Sequence, residues 1–239
     1  MNVDNQQRLE HIVQFYALLD TLAQKIKGPL TLENFSIGSS WVTRGVHFFF
    51  EQGEHRSDSG EGLRVVHIGT HAIRTGSRST LWDSLHLQRG SDKDGAGSHR
   101  CSAFRKHIGM AYIGRDKEYH YEDQTWGRGN LTSHEVHLQE MGLEMVVSKT
   151  IRKMPYLYLA VEDEPSPYSQ RAVISNNTVA LLSNYNRQPI DPPSETWLGQ
   201  YAHSKGDRIR QSGLWNVDHT DDDYDPDFLE ILKHWIGRM

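Results

Sequence analysis

Two imidazoles are the side chains on which chemistry could most readily be built. His47 and His67 fall on neighbouring β-branched and aromatic runs, WVTRGVHFFF at 41–50 and LRVVHI at 63–68. Such a pair, facing across two strands, can hold a metal ion or pass protons near neutral pH. It can equally fill core space as two neutral rings. The run His219-Thr220-Asp221-Asp222-Asp223 has metal-friendly residue types. It also precedes a helix, where the dipole favours acids without any metal. Glu162, Asp163 and Glu164 read as a solvated strand end. The chain has 14 histidines but no H-E-x-x-H or comparable ligand spacing, so zinc is not inferred. Cys101 is the single cysteine. It can close no intrachain disulfide and build no cysteine cluster, and it reads as a small buried or neutral residue rather than a redox centre.

These side chains need a scaffold. Apolar residues from Leu9 to Ile26 recur at three- and four-residue steps, which predicts a helix over 6–27 that Gly28-Pro29 stops. The runs at 41–50 and 63–68, separated by the polar EQGEHRSDSGEG, predict a β-hairpin. A short helix is expected over 79–88 with Ser79 or Thr80 as N-cap, and 91–100 reads as loop. Residues 115–135 carry no clear pattern. A helix over 138–153, a strand over 154–162 and a helix over 169–183 follow. Asp225 and Pro226 are expected as N-cap and first residue of a closing helix, whose apolar stripe includes Phe228, Leu232 and Ile236.

The length of 239 residues suits one domain, and 36% hydrophobic with 24% charged residues is an ordinary folded composition. No apolar run reaches the roughly 20 residues that span a bilayer. The N-terminal residues lack the pattern of a secretory signal, and the expected location is the cytoplasm. The net charge is -5. Residues 71–107 carry seven Lys or Arg against three acids, a local +4 that leaves -9 for the rest. That stretch could face phosphate or be an ordinary solvated face.

Gly45-Val46-His47 and His67-Ile68-Gly69 stand where the GIY-YIG nuclease superfamily has Gly-Ile-Tyr and Tyr-Ile-Gly. The chain resembles that superfamily, and more closely a bacterial branch of it. The resemblance rests on an ordered series of words: RGVHFFFE, RVVHIGTHA, STLW, SHRCSAFR, VALLSN, DPPSETWLG and SGLWNVDH. It implies a phosphodiester-cleaving fold in which one glutamate on a long helix holds a divalent metal. An arginine on the helix after the second strand stabilises the phosphate, and the two tyrosines position or deprotonate water. At those places this chain has Ser175 for the glutamate, Ser84 for the arginine, and His47 and His67 for the tyrosines. Gln88 replaces a histidine that often follows four residues after the arginine. Gly69, Arg78 and Asn177 fit the pattern, and His71 also occurs in the closer branch. Each lost group supplies a few kcal/mol of transition-state stabilisation, so losing two costs several orders of magnitude in rate.

The fold expected is α/β (α+β), a small mainly antiparallel sheet flanked by helices. It forms a single domain over 1–239, made of an N-terminal helix at 1–30, a nuclease-like core at 41–184 and a C-terminal extension at 185–239. The function expected is that of a GIY-YIG nuclease-like nucleic-acid-binding protein, DNA ahead of RNA, with impaired or lost hydrolysis. Its degenerate catalytic positions are His47, His67, His71, Ser84, Gln88, Ser175 and Asn177. Its phosphate contacts are Arg74, Arg78, Arg89, Arg100 and Arg105. No metal ligand is assigned, and Mg²⁺ enters only if the protein is active. Two alternatives stay open. One is an active metal-dependent endonuclease rebuilt around His47, His67 and bases such as Arg74 or Arg78. The other is a non-catalytic subunit that binds a protein partner or its own copy.

Overall fold

The hairpin that carries both histidines is built from β2 (Gly45–His55) and β3 (Leu63–Thr70). A computed structural model of the chain describes residues 3–34, 42–119, 124–129, 133–203 and 207–239. The expected strand start at Trp41 therefore lies outside the described residues, as do 120–123 and 130–132 of the unassigned stretch. β2 runs five residues further than its apolar pattern because the hairpin tip is gripped from elsewhere. Asp191 Oδ1 accepts the backbone N–H groups of Ser57, Asp58 and Ser59 at 2.8, 2.7 and 3.0 Å. Glu54, buried, pairs with Arg64 at 2.6 Å and accepts the Ser194 hydroxyl at 2.5 Å.

The sheet has four strands in the order β1-β4-β2-β3, with β1 at Leu30–Thr31 and β4 at Pro155–Ala160, all antiparallel. Helices cover both faces. On one side, α1 (Val3–Ile26), α5 (Gln170–Leu182) and α7 (Phe228–Gly237) pack on Val46, Phe48, Val65 and Ile68. On the other, α2 (Leu81–Arg89), α3 (Ala103–Arg115) and α4 (His134–Lys153) pack on Phe49, Val66 and Tyr156. A short α6 (Arg208–Ser212) precedes the last loop. Residues 185–239, read from sequence as an extension, supply Trp197 and Trp215 to the second core and Phe228 and Leu232 to the first.

Several local expectations are corrected. α3 has no counterpart in the sequence reading, because its two glycines weaken the helical signal. Gly109 is there because any Cβ would overlap the Trp126 ring. Of the two residues expected as cap of α2, Thr80 takes the place, in a reciprocal capping box with Asp83. The residue preceding α7 is Asp227, with Asp225 and Pro226 in the turn before it.

β3 contains a bulge. Phe49 pairs with His67 but Phe50 pairs with Val65, so Val66 has no partner on β2. Val66 and His67 consequently lie on the same side of the sheet. The carbonyl of Val66 accepts the backbone N–H of Trp215 at 2.8 Å. This loop also closes the open edge of β3, since Asn216 brackets Ile68 by accepting its N–H at 3.0 Å and donating to its carbonyl at 2.8 Å.

Removing the Asp191 carboxylate leaves three turn N–H groups without an acceptor. Asp191→Ala is expected to lower unfolding free energy by about 2 kcal/mol, read as a shift in urea midpoint. A loss below about 0.5 kcal/mol would mean that water replaces the carboxylate and that the grip is incidental.

Candidate functional site

A cleft of about 450 Å³ opens between the ends of β2 and β3, α2 and the start of α3. His47, His67, His71, Ser84 and Gln88 all line it. The capping box at Thr80 sets the phase of α2, turning Leu81 and Leu85 into the core while Ser84 and Gln88 face the cleft one turn apart. The start of α3 completes the wall with Cys101, Ser102 and Phe104, and the Cys101 thiol is exposed rather than buried. Ser102 donates its hydroxyl to Gln88 Oε1 at 2.8 Å, tying the two helices together.

His47 stands directly opposite Gly69 in the ladder. A Cβ at Gly69 would overlap His47 Nε2, and a Cβ at Gly45 would overlap the carbonyl of Leu159. The glycines of both motifs are thus required by close approach. His47 is buried with neither ring nitrogen hydrogen-bonded. Burial first, and His71 second, bring its pKa down to about 3. Its ring centroid lies 6.0 Å from that of His67, and His67 stacks on Phe104 at 3.9 Å.

Asn216 determines how His67 carries its proton. The Asn216 amide is oriented by its two bonds to Ile68, so its Oδ1 is an acceptor, and His67 Nδ1 donates to it at 3.1 Å. The lone pair of His67 Nε2 is left free. Burial, then His47 and His107, hold this imidazole well below its ordinary pKa. It is a neutral ring at physiological pH and a weak base. Asn216 and His107 are positions that the sequence reading missed. The word SGLWNVDH contains Asn216, but its reach across 149 residues to His67 leaves no local trace.

His71 lines the cleft but is engaged on both nitrogens. Nδ1 donates to the Ser79 carbonyl at 3.0 Å and Nε2 accepts the Gly45 N–H at 3.2 Å. It ties the loop after β3 to the start of β2 and has no nitrogen left for chemistry. Ser175 and Asn177 do not line the cleft. Both sit on α5, which packs on the other face of the sheet from α2. Ser175 follows Arg171 by one turn, and Arg171 reaches the Ala72 carbonyl at 3.4 Å and pairs with Asp163 at 2.7 Å. Asn177 is structural, donating to the Val173 carbonyl at 2.9 Å and accepting the Asp225 N–H at 2.7 Å.

Three of the five expected phosphate contacts point into the protein. Arg105 is fully buried and bonds Glu144 at 2.6 Å, the Gln88 carbonyl at 2.8 Å and Ser148 at 2.9 Å. Arg100 forks onto the buried Glu140 at 2.5 and 2.9 Å. Burial raises the Glu144 pKa, but His99 and Arg105 outweigh it and hold the carboxyl below its usual range. Arg89 bonds the Leu32 carbonyl at 3.0 Å and Asp92 at 2.5 Å. Arg74 and Arg78 alone of the five are exposed, on the loop between His71 and Thr80 that borders the cleft. The acidic runs are also structural. Asp221 pairs with Arg208 at 2.5 Å, and Glu162 accepts the N–H groups of Thr43 and Arg44 at 2.8 and 3.0 Å.

The donor set does not fit a divalent metal. Among the described residues that line the cleft, Asp83 is the only carboxylate, and it is bonded to Thr80 in the capping box. No lining residue is Arg or Lys. What remains is a polar cleft without a cation, lined by the neutral imidazoles of His47 and His67, the hydroxyls of Thr70, Ser79, Ser84 and Ser102, and the Gln88 amide.

The family model described as GIY-YIG domain matches residues 6–239. No curated protein and no solved structure matches the chain.

The buried histidines make stability depend on pH. His47, His71 and His107 have pKa values brought down to about 3, about 4 and about 4, each by burial first. The unfolded value is about 6.5, so below it the unfolded chain binds more protons than the native one. Stability is therefore whole above the unfolded value and is lost as pH falls through the folded values. The melting temperature is expected to drop on acidification from about pH 6.5 towards about pH 4. A His107→Gln variant should show a shallower drop. A flat profile across that window would mean the histidines are already protonated in the fold.

Proposed function

Because the chain belongs to the GIY-YIG domain family, with a match over residues 6–239, we propose that it is a nuclease-like protein that binds nucleic acid with little or no phosphodiester hydrolysis. One observation carries this reading. The cleft formed by the two motif strands and the following helix presents neutral side chains, Ser84 and Gln88 among them, where hydrolysis needs a cation and a metal-holding carboxylate. A phosphate entering it meets no charge that would develop binding in the transition state. His67 is a neutral and weak base, which does not make up for both losses. Ser175, at the position the resemblance gives to the metal glutamate, lies on α5 away from the cleft.

Arg74 and Arg78 support the nucleic-acid part of the proposal. They are exposed on the loop whose ends, His71 and Ser79, line the cleft. Arginine suits phosphate because its planar fork stays charged and donates paired bonds. Two such contacts give modest, salt-sensitive affinity and no sequence preference. DNA ranks ahead of RNA only through the family.

The test pairs a Mg²⁺-dependent cleavage assay on plasmid and single-stranded DNA with a salt-dependent binding assay. The expected result is binding without metal-stimulated cleavage. The double variant Arg74→Ala and Arg78→Ala should weaken binding to every sequence and flatten the log–log salt slope by about two units. Alkylating the exposed Cys101 should obstruct the cleft and weaken binding further. Metal-dependent cleavage would select the rebuilt His-containing endonuclease. No binding by the parent would leave the protein-interaction reading.

A further inference from the structure

A second cleft lies in the other helical layer, where the start of α1 meets the loop after α5 and the loop before α7. Its volume is about 640 Å³, within the roughly 300–1,000 Å³ range of small-molecule sites. Arg8 forms part of its wall with only 4% of its surface exposed. The guanidinium donates to the carbonyls of Leu181, Ser183 and Gln188 at 2.9, 2.8 and 3.2 Å, and to Asn184 Oδ1 at 2.9 Å. Every one of these acceptors is neutral. Among the described residues no carboxylate pairs with Arg8. The carboxylate that acts on it electrostatically, behind the Tyr224 phenol, is Asp191, whose oxygens are taken by the hairpin turn.

Arg187 lines the same cleft. It donates to the carbonyls of Ala180 at 2.6 Å and Asp222 at 2.5 Å. Its carboxylate partner, Asp223, lies 3.7 Å away with a fully exposed side chain, which makes a weak pair. Burial first, and Arg187 second, depress the Arg8 pKa to about 10.

Both arginines satisfy carbonyls at the C-terminal end of α5, Arg8 those of Leu181 and Ser183 and Arg187 that of Ala180, and that role engages part of each guanidinium. It leaves two things unexplained. Carbonyl oxygens do not cancel two formal charges, and a buried charge without a counterion is costly. Asn5, three residues before Arg8 and on the same face of α1, lines the cleft with its Nδ2 buried and without a hydrogen-bond partner. Buried donors are otherwise paired.

We propose that this cleft is a binding site for a phosphate monoester, with Arg8 and Arg187 supplying the charge and Asn5 Nδ2 an unsatisfied donor in its wall. Two cations match the charge of about -1.5 to -2 on such a group near neutral pH better than a single carboxylate would. The amides of Gln7 and Gln188, also in the wall, suit the hydroxyl groups of an attached sugar. The remaining volume exceeds what phosphate alone fills. The ligand is thus a phosphorylated small molecule or the phosphorylated end of a nucleic acid, two sources of one chemistry. The site faces away from the histidine cleft and does not depend on the function proposed there.

The experiment titrates inorganic phosphate into the full chain at constant ionic strength, with heat of binding and melting temperature as readouts. Saturable binding and a rising melting temperature are expected. Asn5→Asp puts a carboxylate on the helix face that carries Arg8 and removes the donor. It should weaken phosphate binding at least about tenfold. Arg187→Gln, which leaves α1 untouched, should weaken it severalfold. No saturable binding by the parent, or binding by folded Asn5→Asp equal to the parent's, overturns the proposal. A comparison of a 5′-phosphorylated oligonucleotide with its 5′-hydroxyl twin then separates the sources. Tighter binding of the phosphorylated one than of inorganic phosphate identifies a nucleic-acid end. Equal binding of the twins identifies a small phosphomonoester.

Discussion

Val66 has no partner on β2, and the rest of the cleft depends on that single extra residue. Without the bulge, strict alternation would put Val66 and His67 on opposite faces. With it, both turn towards α2 and α3, and His67 comes to rest against Phe104. The bulge leaves a carbonyl that needs a donor, and Trp215 N–H provides it. The same contact seats Asn216 against Ile68 and His67 and covers an otherwise open sheet edge. One backbone irregularity thus sets the orientation, tautomer and surroundings of the free imidazole.

The distribution of charge follows from the same packing. The basic stretch at 71–107 divides at the start of α2. Before it, the loop is exposed and Arg74 and Arg78 face solvent. After it, α2 and α3 pack against α4, which brings Glu140 and Glu144 inward. Arg100 and Arg105 then serve as their counterions, because a buried carboxylate left alone is far costlier than a paired one. Glu144 also accepts the N–H and Nδ1 of His99 at 2.5 and 2.8 Å, so its oxygens are well occupied. These arginines hold the wall of the cleft in place and leave its interior uncharged.

Neutrality is the chemical signature of the histidine cleft, and uncompensated charge is that of the cleft beside Arg8. The two lie in different layers of one sheet. A nuclease fold usually needs charge at the first. In the second, carbonyls at the end of α5 hold two arginines with weak or no carboxylate partners.

The sequence by itself determined the family, the antiparallel α/β class, the existence of most helices and the motif strands. Those features are local: apolar period, caps such as Thr80, and glycines at fixed places in short words. Of the residues expected to share one site, His47, His67, Ser84 and Gln88 line a cleft and Ser175 does not. The sequence did not determine which arginines reach solvent, because Arg100 and Arg105 differ from Arg74 only in partners that lie 40 and 39 residues further along. It gave no warning that Ser175 and Asn177 belong to the opposite layer, or that Asn216 orients His67. Each of those was decided by tertiary packing, since a residue's charge and hydrogen-bonding capacity are written in its type, but the groups that satisfy them are chosen only when distant segments meet.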